Sequence, residues 1–284
     1  MRRVTVVSLI YQSPEYAKQF YKSLLWSTPE IAQGRVDFFF VANNANAQTL
    51  RALKENEIPH YELNLPILSD EDHSALGFGA PEYIGRVYAA YNYAISKSKT
   101  DLVLLLNSDM VMSKGWLNRM LSVYSDEVAL SPTLVERAHP RFGVYPGALE
   151  ANFGSSFRNF RLDDWERFSS DPPVAKVVDK LDLPFMPTLV RKLWFDDLGG
   201  YPQGNIQGDE GYKSVSKYGD QYFFERLKDY GVSHKSVEGV YCYHFKEGER
   251  ESNFLTYIFN ILVPSVIWPA IRTLKRFAKR IFSL

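Results

Sequence analysis

Cys242 is the only cysteine in 284 residues, so no internal disulfide can form and a zinc site built on several thiolates is excluded. That usage fits a reducing compartment. Net charge is also lacking: 33 Lys and Arg stand against 33 Asp and Glu, which argues against a general nucleic-acid binder. Internal repeats and low-complexity tracts are absent. The opening Met-Arg-Arg precedes only a short apolar run, Val4–Ile10, that breaks at Tyr-Gln-Ser-Pro-Glu. A signal peptide needs a longer apolar region and a small-residue cleavage site, so the run reads as a first strand. The turn after it, Tyr11-Gln12-Ser13-Pro14, has neither the glycines nor the basic residue of a phosphate-gripping loop.

What is present points to a folded α/β chain. Hydrophobic residues make up 45% and aromatics 15%, which excludes wholesale disorder, and the length suffices for one large domain. The most informative stretch is 101–109, Asp-Leu-Val-Leu-Leu-Leu-Asn-Ser-Asp. An unbroken aliphatic run without alternation predicts a strand covered on both faces, as in a parallel sheet flanked by helices. Ligands of such sheets bind beyond the carboxyl ends of the strands, which is where Asp109 falls.

Around this strand the pattern alternates. Ser13-Pro14-Glu15 supplies a cap, an N1 proline and a first-turn acid before a helical period through Leu25. Strands are expected at 36–41 and 58–63, with a short helix at 49–55. Residues 66–80 are acidic and aperiodic and read as a loop. Ile84, Val87, Tyr88, Tyr91 and Ile95 mark an amphipathic helix that leads into the central strand. Strand-helix-strand alternation implies right-handed parallel crossovers. Beyond a helix at 116–124 and a short strand at 128–130 the period dissolves, and 135–182 reads as long loops with short helices, the variable wall of a site. Order returns with 185–190, a helix at 191–198 closed by Gly199-Gly200, a helix at 220–230 and a strand at 236–243.

Several of these pieces, in order, resemble the inverting glycosyltransferases of family 2, whose nucleotide-sugar-binding α/β fold is called GT-A. Residues 4–16 are similar to the family's opening strand and turn. Asn92 through Asp109 resembles its helix, central strand and Asp-x-Asp element. Leu198-Gly199-Gly200-Tyr201 matches its Gly-Gly-Phe turn, and Gly219-Asp220 with Arg226-Leu227 its Glu-Asp...Arg-Leu helix. The resemblance covers 4–244. It implies a GT-A, mostly parallel sheet flanked by helices, with a nucleotide-sugar half (1–134) and an acceptor-binding and catalytic half of the same domain (135–250); a C-terminal amphipathic extension (251–284) is read apart from it.

The implied chemistry assigns roles. A departing nucleoside diphosphate carries charge that a divalent cation, Mn2+ or Mg2+, stabilises as a Lewis acid. In the family the last Asp of Asp-x-Asp ligates that metal, here Asp109; its alternative is a helix cap before 110–113. The first Asp is Asn107, which still hydrogen-bonds a ribose but adds no charge, and Ser108 lies between them. His244 is either a second ligand, a role in which imidazole suits manganese, or a hydrogen-bonded residue at a strand end.

Asp220 is the candidate base for the acceptor hydroxyl, with Asp209 and Glu210 as substitutes. As a residue at a helix start, it is also placed for capping, and that environment would hold its pKa low and limit it as a base unless the acceptor pocket desolvates it. On the donor side, Tyr11 matches a family tyrosine near the nucleobase, and Leu9 replaces a common proline. Asn43 stands where an Asp accepts from uracil, and as an amide it both donates and accepts. Tyr91 occupies the place of a family Arg. Arg86 is then either its substitute at the diphosphate or a solvated helix charge.

The tail is a separate signal. Residues 254–271 are apolar but interrupted by Pro264 and Pro269, unlike a regular spanning helix. Arg272, Lys275, Arg276, Lys279 and Arg280 follow on one helical face. This predicts an interfacial helix drawn to anionic lipid, or a C-terminal helix docked on the protein or a partner. Together the expectation is a membrane-associated transferase of polysaccharide biosynthesis, peripheral at the cytoplasmic face of the cell membrane. Its donor is a UDP-sugar or one of another base, its acceptor a glycan or lipid-linked hydroxyl, and nucleic acid is no partner. Two alternatives stay open: a sugar nucleotidyltransferase, disfavoured by the first turn, and an inactive glycan- or lipid-binding module, motivated by Asn43 and Asn107.

Overall fold

A computed structural model describes residues 2–66, 81–138, 143–180, 185–208 and 211–246. The 66–80 loop beyond Pro66, the pair Asp209 and Glu210, and the C-terminal tail lie outside the described residues.

Among the described residues the strands are β1 (Val4–Ile10), β2 (Asp37–Asn43), β3 (His60–Leu63), β4 (Leu102–Asn107), β5 (Met110–Met112), β6 (Val128–Glu136), β7 (Leu149–Glu150), β8 (Lys176–Val178), β9 (Thr188–Arg191), β10 (Ile206–Gly208), β11 (Gly211–Lys217) and β12 (Ser233–His244). The helices are α1 (Pro14–Ser27), α2 (Ala47–Glu55), α3 (Pro81–Lys97), α4 (Trp116–Ser122), α5 (Leu162–Ser169), α6 (Lys192–Leu198) and α7 (Gly219–Asp229). Ten strands form one mixed sheet in the order β3-β2-β1-β4-β9-β6-β12-β5, with β7 on β6 and β8 on β12; β10 and β11 form a separate hairpin. None of the described helices is long and apolar enough to cross a membrane.

The aliphatic run of β4 is explained by its two neighbours in depth. Leu104 and Leu106 enter one core with Phe20 and Leu24 of α1 and Trp116 of α4. Val103 and Leu105 enter the other with Tyr91 of α3, Trp194 of α6 and Phe223 of α7. Every β4 position from Leu102 to Leu106 is therefore buried, and no polar alternation is possible. The sequence signals at α1 hold: Ser13 accepts from the Tyr16 N–H at 3.3 Å, and Pro14 begins the helix. A third, aromatic cluster of Phe153, Trp165, Tyr243 and Phe245 anchors the segment that reads as aperiodic.

The structure corrects the reading of 128–130. That strand runs on to Glu136, so the boundary expected at 134/135 falls inside β6. The apparent break is Pro132, which lacks the ladder N–H. Opposite it, β12 bulges: Val237 pairs with Pro132 but Tyr241 pairs with Thr133, so Glu238, Gly239 and Val240 have no partner in β6. Gly239 has φ +77°, and a Cβ there would lie 2.4 Å from the Pro173 carbonyl oxygen.

Candidate functional site

Register places the expected donor-side residues together. Leu9 of β1 pairs with Val41 of β2 and with Asn107 of β4, all in parallel. Tyr11, Asn43 and Asn107 therefore stand at the carboxyl ends of three adjacent strands. The α3 helix precedes β4, so its first turns return to the same edge. There the Asn43 amide donates to the Arg86 carbonyl oxygen at 3.5 Å. Arg86 is buried rather than a solvated helix charge. The Asn43 Oδ1 is buried without a partner, an acceptor left open for a donor group of a ligand. Asn44, next to it, has φ 53°, a strained value for a residue that is not glycine. Tyr11 is 37% exposed, at the rim.

Asn107 and Ser108 carry the chain off β4. The Tyr91 hydroxyl lies 2.8 Å from Asn107 Oδ1 and 3.0 Å from the Leu106 carbonyl oxygen, so the residue standing in the place of an Arg locks Asn107 in position. After Asp109 the chain enters β5, a strand rather than a helix, and the alternative reading of Asp109 as a helix cap falls.

The β5 strand lies antiparallel to β12 at the far side of the sheet, with Met110 opposite His244 and the Phe245 N–H donating to the Asp109 carbonyl oxygen at 3.0 Å. This brings the two expected metal residues together: His244 Nε2 is 3.1 Å from Asp109 Oδ2. Its other nitrogen, Nδ1, is 2.8 Å from Glu136 Oε1 at the end of β6. The second Glu136 oxygen takes Lys246 Nζ at 2.6 Å and the Tyr145 N–H at 2.7 Å. Burial pushes the His244 imidazole down, but Asp109 and Glu136 outweigh it and lift its pKa to about 10. Burial likewise pushes the Glu136 carboxyl up, and the bonds from His244, Lys246 and Tyr145 override it to hold the group below the usual range.

The donor set fits a cation. Two cis ligands on a six-coordinate ion with ~2.1 Å bonds stand about 3 Å apart, close to the Asp109–His244 separation. One carboxylate oxygen and one imidazole nitrogen suit manganese better than calcium. Among the described residues no group of three or more His, Cys, Asp or Glu is placed to hold a metal, and Asp109 and His244 are the pair that would face a cation at this edge.

Asp220 sits in the first turn of α7, which leads into β12 and so starts at the same edge. Its Oδ1 accepts from the Gln221 N–H at 2.8 Å, its own N–H donates to the Tyr88 hydroxyl at 3.2 Å, and its carboxylate is hydrogen-bonded to that hydroxyl. Burial pushes its carboxyl up, and these neutral donors only partly offset the effect. Of the two effects expected at this position, desolvation outweighs capping. Gly219 has no room for a side chain: a Cβ would lie 2.4 Å from the Tyr88 ring. Tyr88 stacks at 5.4 Å on Tyr201, whose hydroxyl is buried with no partner. The Gly-Gly turn positions Tyr201: Asn92 of α3 accepts from its N–H and donates to its carbonyl oxygen, both at 2.9 Å. Gly200, φ +72°, leaves the space that Asn92 fills.

No protein-family model and no curated protein sequence matches this chain. Solved structures do. The fold is GT-A-like. The chain is similar to S. aureus TarS, residues 1-349, in complex with UDP, at 15% identity over 86% of this chain and 60% of that one, with a TM-score of 0.50. It is similar also to the mannosyltransferase PcManGT from Pyrobaculum calidifontis in complex with GDP-Man and Mn2+, at 14% identity over 88% and 59%, with a TM-score of 0.49. The chain spans about three fifths of the length of these solved structures.

Sequence reading gave no site role to Glu136 or Lys246, and placed Tyr88 and Tyr201 only in a helix period and a turn. The first hid behind Pro132. Tyr201 had a usable signal, since it follows the Gly-Gly turn.

Proposed function

We propose that the protein is a metal-dependent glycosyltransferase that moves a sugar from a nucleoside-diphosphate donor to a hydroxyl of a glycan or lipid-linked acceptor. The observation that carries this reading is the Asp109–His244 pair, 3.1 Å apart at the carboxyl edge of a GT-A-like sheet. Asp109 and His244 hold a divalent cation, Mn2+ or Mg2+, which when bound offsets charge on the departing diphosphate. Tyr11, Asn43, Arg86, Asn107 and Ser108 seat the donor; the open Asn43 acceptor suits an imide N–H such as that of a uracil. Asp220 takes the acceptor proton. As it does so, the acceptor oxygen bonds the anomeric carbon, and the carbon–phosphate oxygen bond breaks with its electrons leaving on the nucleoside diphosphate. A single displacement of this kind inverts the anomeric centre. The raised pKa of Asp220 supports the role, because a base works best when its proton affinity approaches the working pH.

The five basic residues in the sequence at 272–280 support placement at the cytoplasmic surface of the cell membrane, where a lipid-linked acceptor of polysaccharide biosynthesis is presented. Thermal-shift titration with UDP-, GDP- and other nucleotide sugars, with and without Mn2+, tests the reading. A nucleoside diphosphate should raise the melting temperature more with Mn2+ present, and Asp109→Ala should remove that increment. Equal shifts in both proteins would count against it. Donor hydrolysis abolished by Asp109→Ala would separate an enzyme from a binding module.

A further inference from the structure

Glu136 is fully buried, and a buried carboxylate is costly to keep unless it is paired and its oxygens are satisfied. Here three donors converge on it, from His244, Lys246 and the Tyr145 backbone. The chain accepts strain to bring one of them: Lys246 has φ 71°, outside the ordinary range for a lysine, and its ammonium also donates to the Gly143 carbonyl oxygen at 2.6 Å. A histidine serving only to finish a strand needs one partner. This ring spans two carboxylates, and the one on Nδ1 is the more tightly held.

We infer that Glu136 is a positioning residue that fixes the His244 ring with Nδ1–H toward itself, so that Nε2 is the nitrogen turned to Asp109 and the cation. The inference rests on the metal-dependent reading above and assigns Glu136 no contact with substrate. An outer carboxylate of this kind orients a ligating imidazole and raises its basicity.

Mn2+ binding to the full chain in the presence of UDP or GDP, read from the signal of free Mn2+ in electron paramagnetic resonance, tests this without any turnover. Glu136→Gln should weaken Mn2+ binding about 10- to 100-fold. It should also diminish the nitrogen hyperfine coupling that His244 gives the bound ion, and Glu136→Asp should restore part of both. Unchanged affinity and coupling in Glu136→Gln, with binding lost in Asp109→Ala, would overturn the positioning role and leave the metal reading intact. Wild-type binding no tighter than that of Asp109→Ala would remove the metal reading and this inference together. Should Glu136→Gln fail to fold, nitrogen-15 spectra of the wild-type imidazole with Cd2+ decide: protonated Nδ1 with metal-bound Nε2 is expected, and the reverse arrangement overturns the inference.

Discussion

Glu136 and Asp220 stand at one edge of one sheet, and burial drives both carboxyls upward, yet their net shifts are opposite. Glu136 meets two cationic side chains and ends below its ordinary value. Asp220 meets a phenol and backbone N–H groups, all neutral, and ends above. Partners, more than depth, decide the direction. On the proposed reading, one carboxylate would be stabilised as a fixed charge and the other kept ready to take a proton, the division of labour that acid–base chemistry requires.

Replacing the second member of the pair should have the largest effect. Asp220→Asn is expected to lower transfer about 10²- to 10⁴-fold, the usual contribution of a general base, measured as kcat with a saturating donor. It should also raise the melting temperature near neutral pH. A carboxyl whose folded pKa is raised lends stability below its unfolded value, near 3.8, and loses it as pH rises through the folded value, so the gain should vanish in acid. A melting temperature unchanged at every pH would break the contrast.

Glu136→Gln should do the reverse, losing about 3 kcal/mol in denaturant unfolding at pH 7 because it strands buried cations. A depressed folded pKa contributes stability above the unfolded value, near 4.5, and that stability is lost as pH falls through the folded one. The deficit of the variant should therefore shrink on acidification.

Two smaller changes probe the framework on either side. Gly200→Ala puts a Cβ 2.5 Å from Asn92 Oδ1 at φ +72° and should cost about 2 kcal/mol, shifting Tyr201 and slowing transfer while Mn2+ binding stays unchanged. Tyr91→Phe removes the bond to Asn107 and should cost about 1 kcal/mol, seen as a severalfold rise in donor KM with kcat held.

Local pattern made half of this molecule legible. The β4 run, the Ser13-Pro14 cap and the α3 period each depend on neighbours in sequence, and each predicted element formed. Asp109 and His244 were legible as residue types at strand ends, but their pairing depends on β5 crossing to β12. Glu136 was hidden because a proline in β6 is tolerated only where β12 bulges, a condition set about 100 residues downstream. The proton affinity of Asp220 could not be decided locally for a similar reason: its helix-start position is legible in sequence, whereas the burial that raises it depends on elements such as α3, whose Tyr88 hydroxyl meets its backbone N–H.

The ladder between β5 and β12 also sets a gauge. Asp109 and His244 are spaced at the backbone by that register, with the Phe245 N–H on the Asp109 carbonyl oxygen. An ion of calcium's radius wants oxygens at 2.3–2.6 Å and a correspondingly broader span. On the proposed reading the two side chains would have to turn to meet it, so ionic size, beside ligand chemistry, would weigh on what this edge could hold.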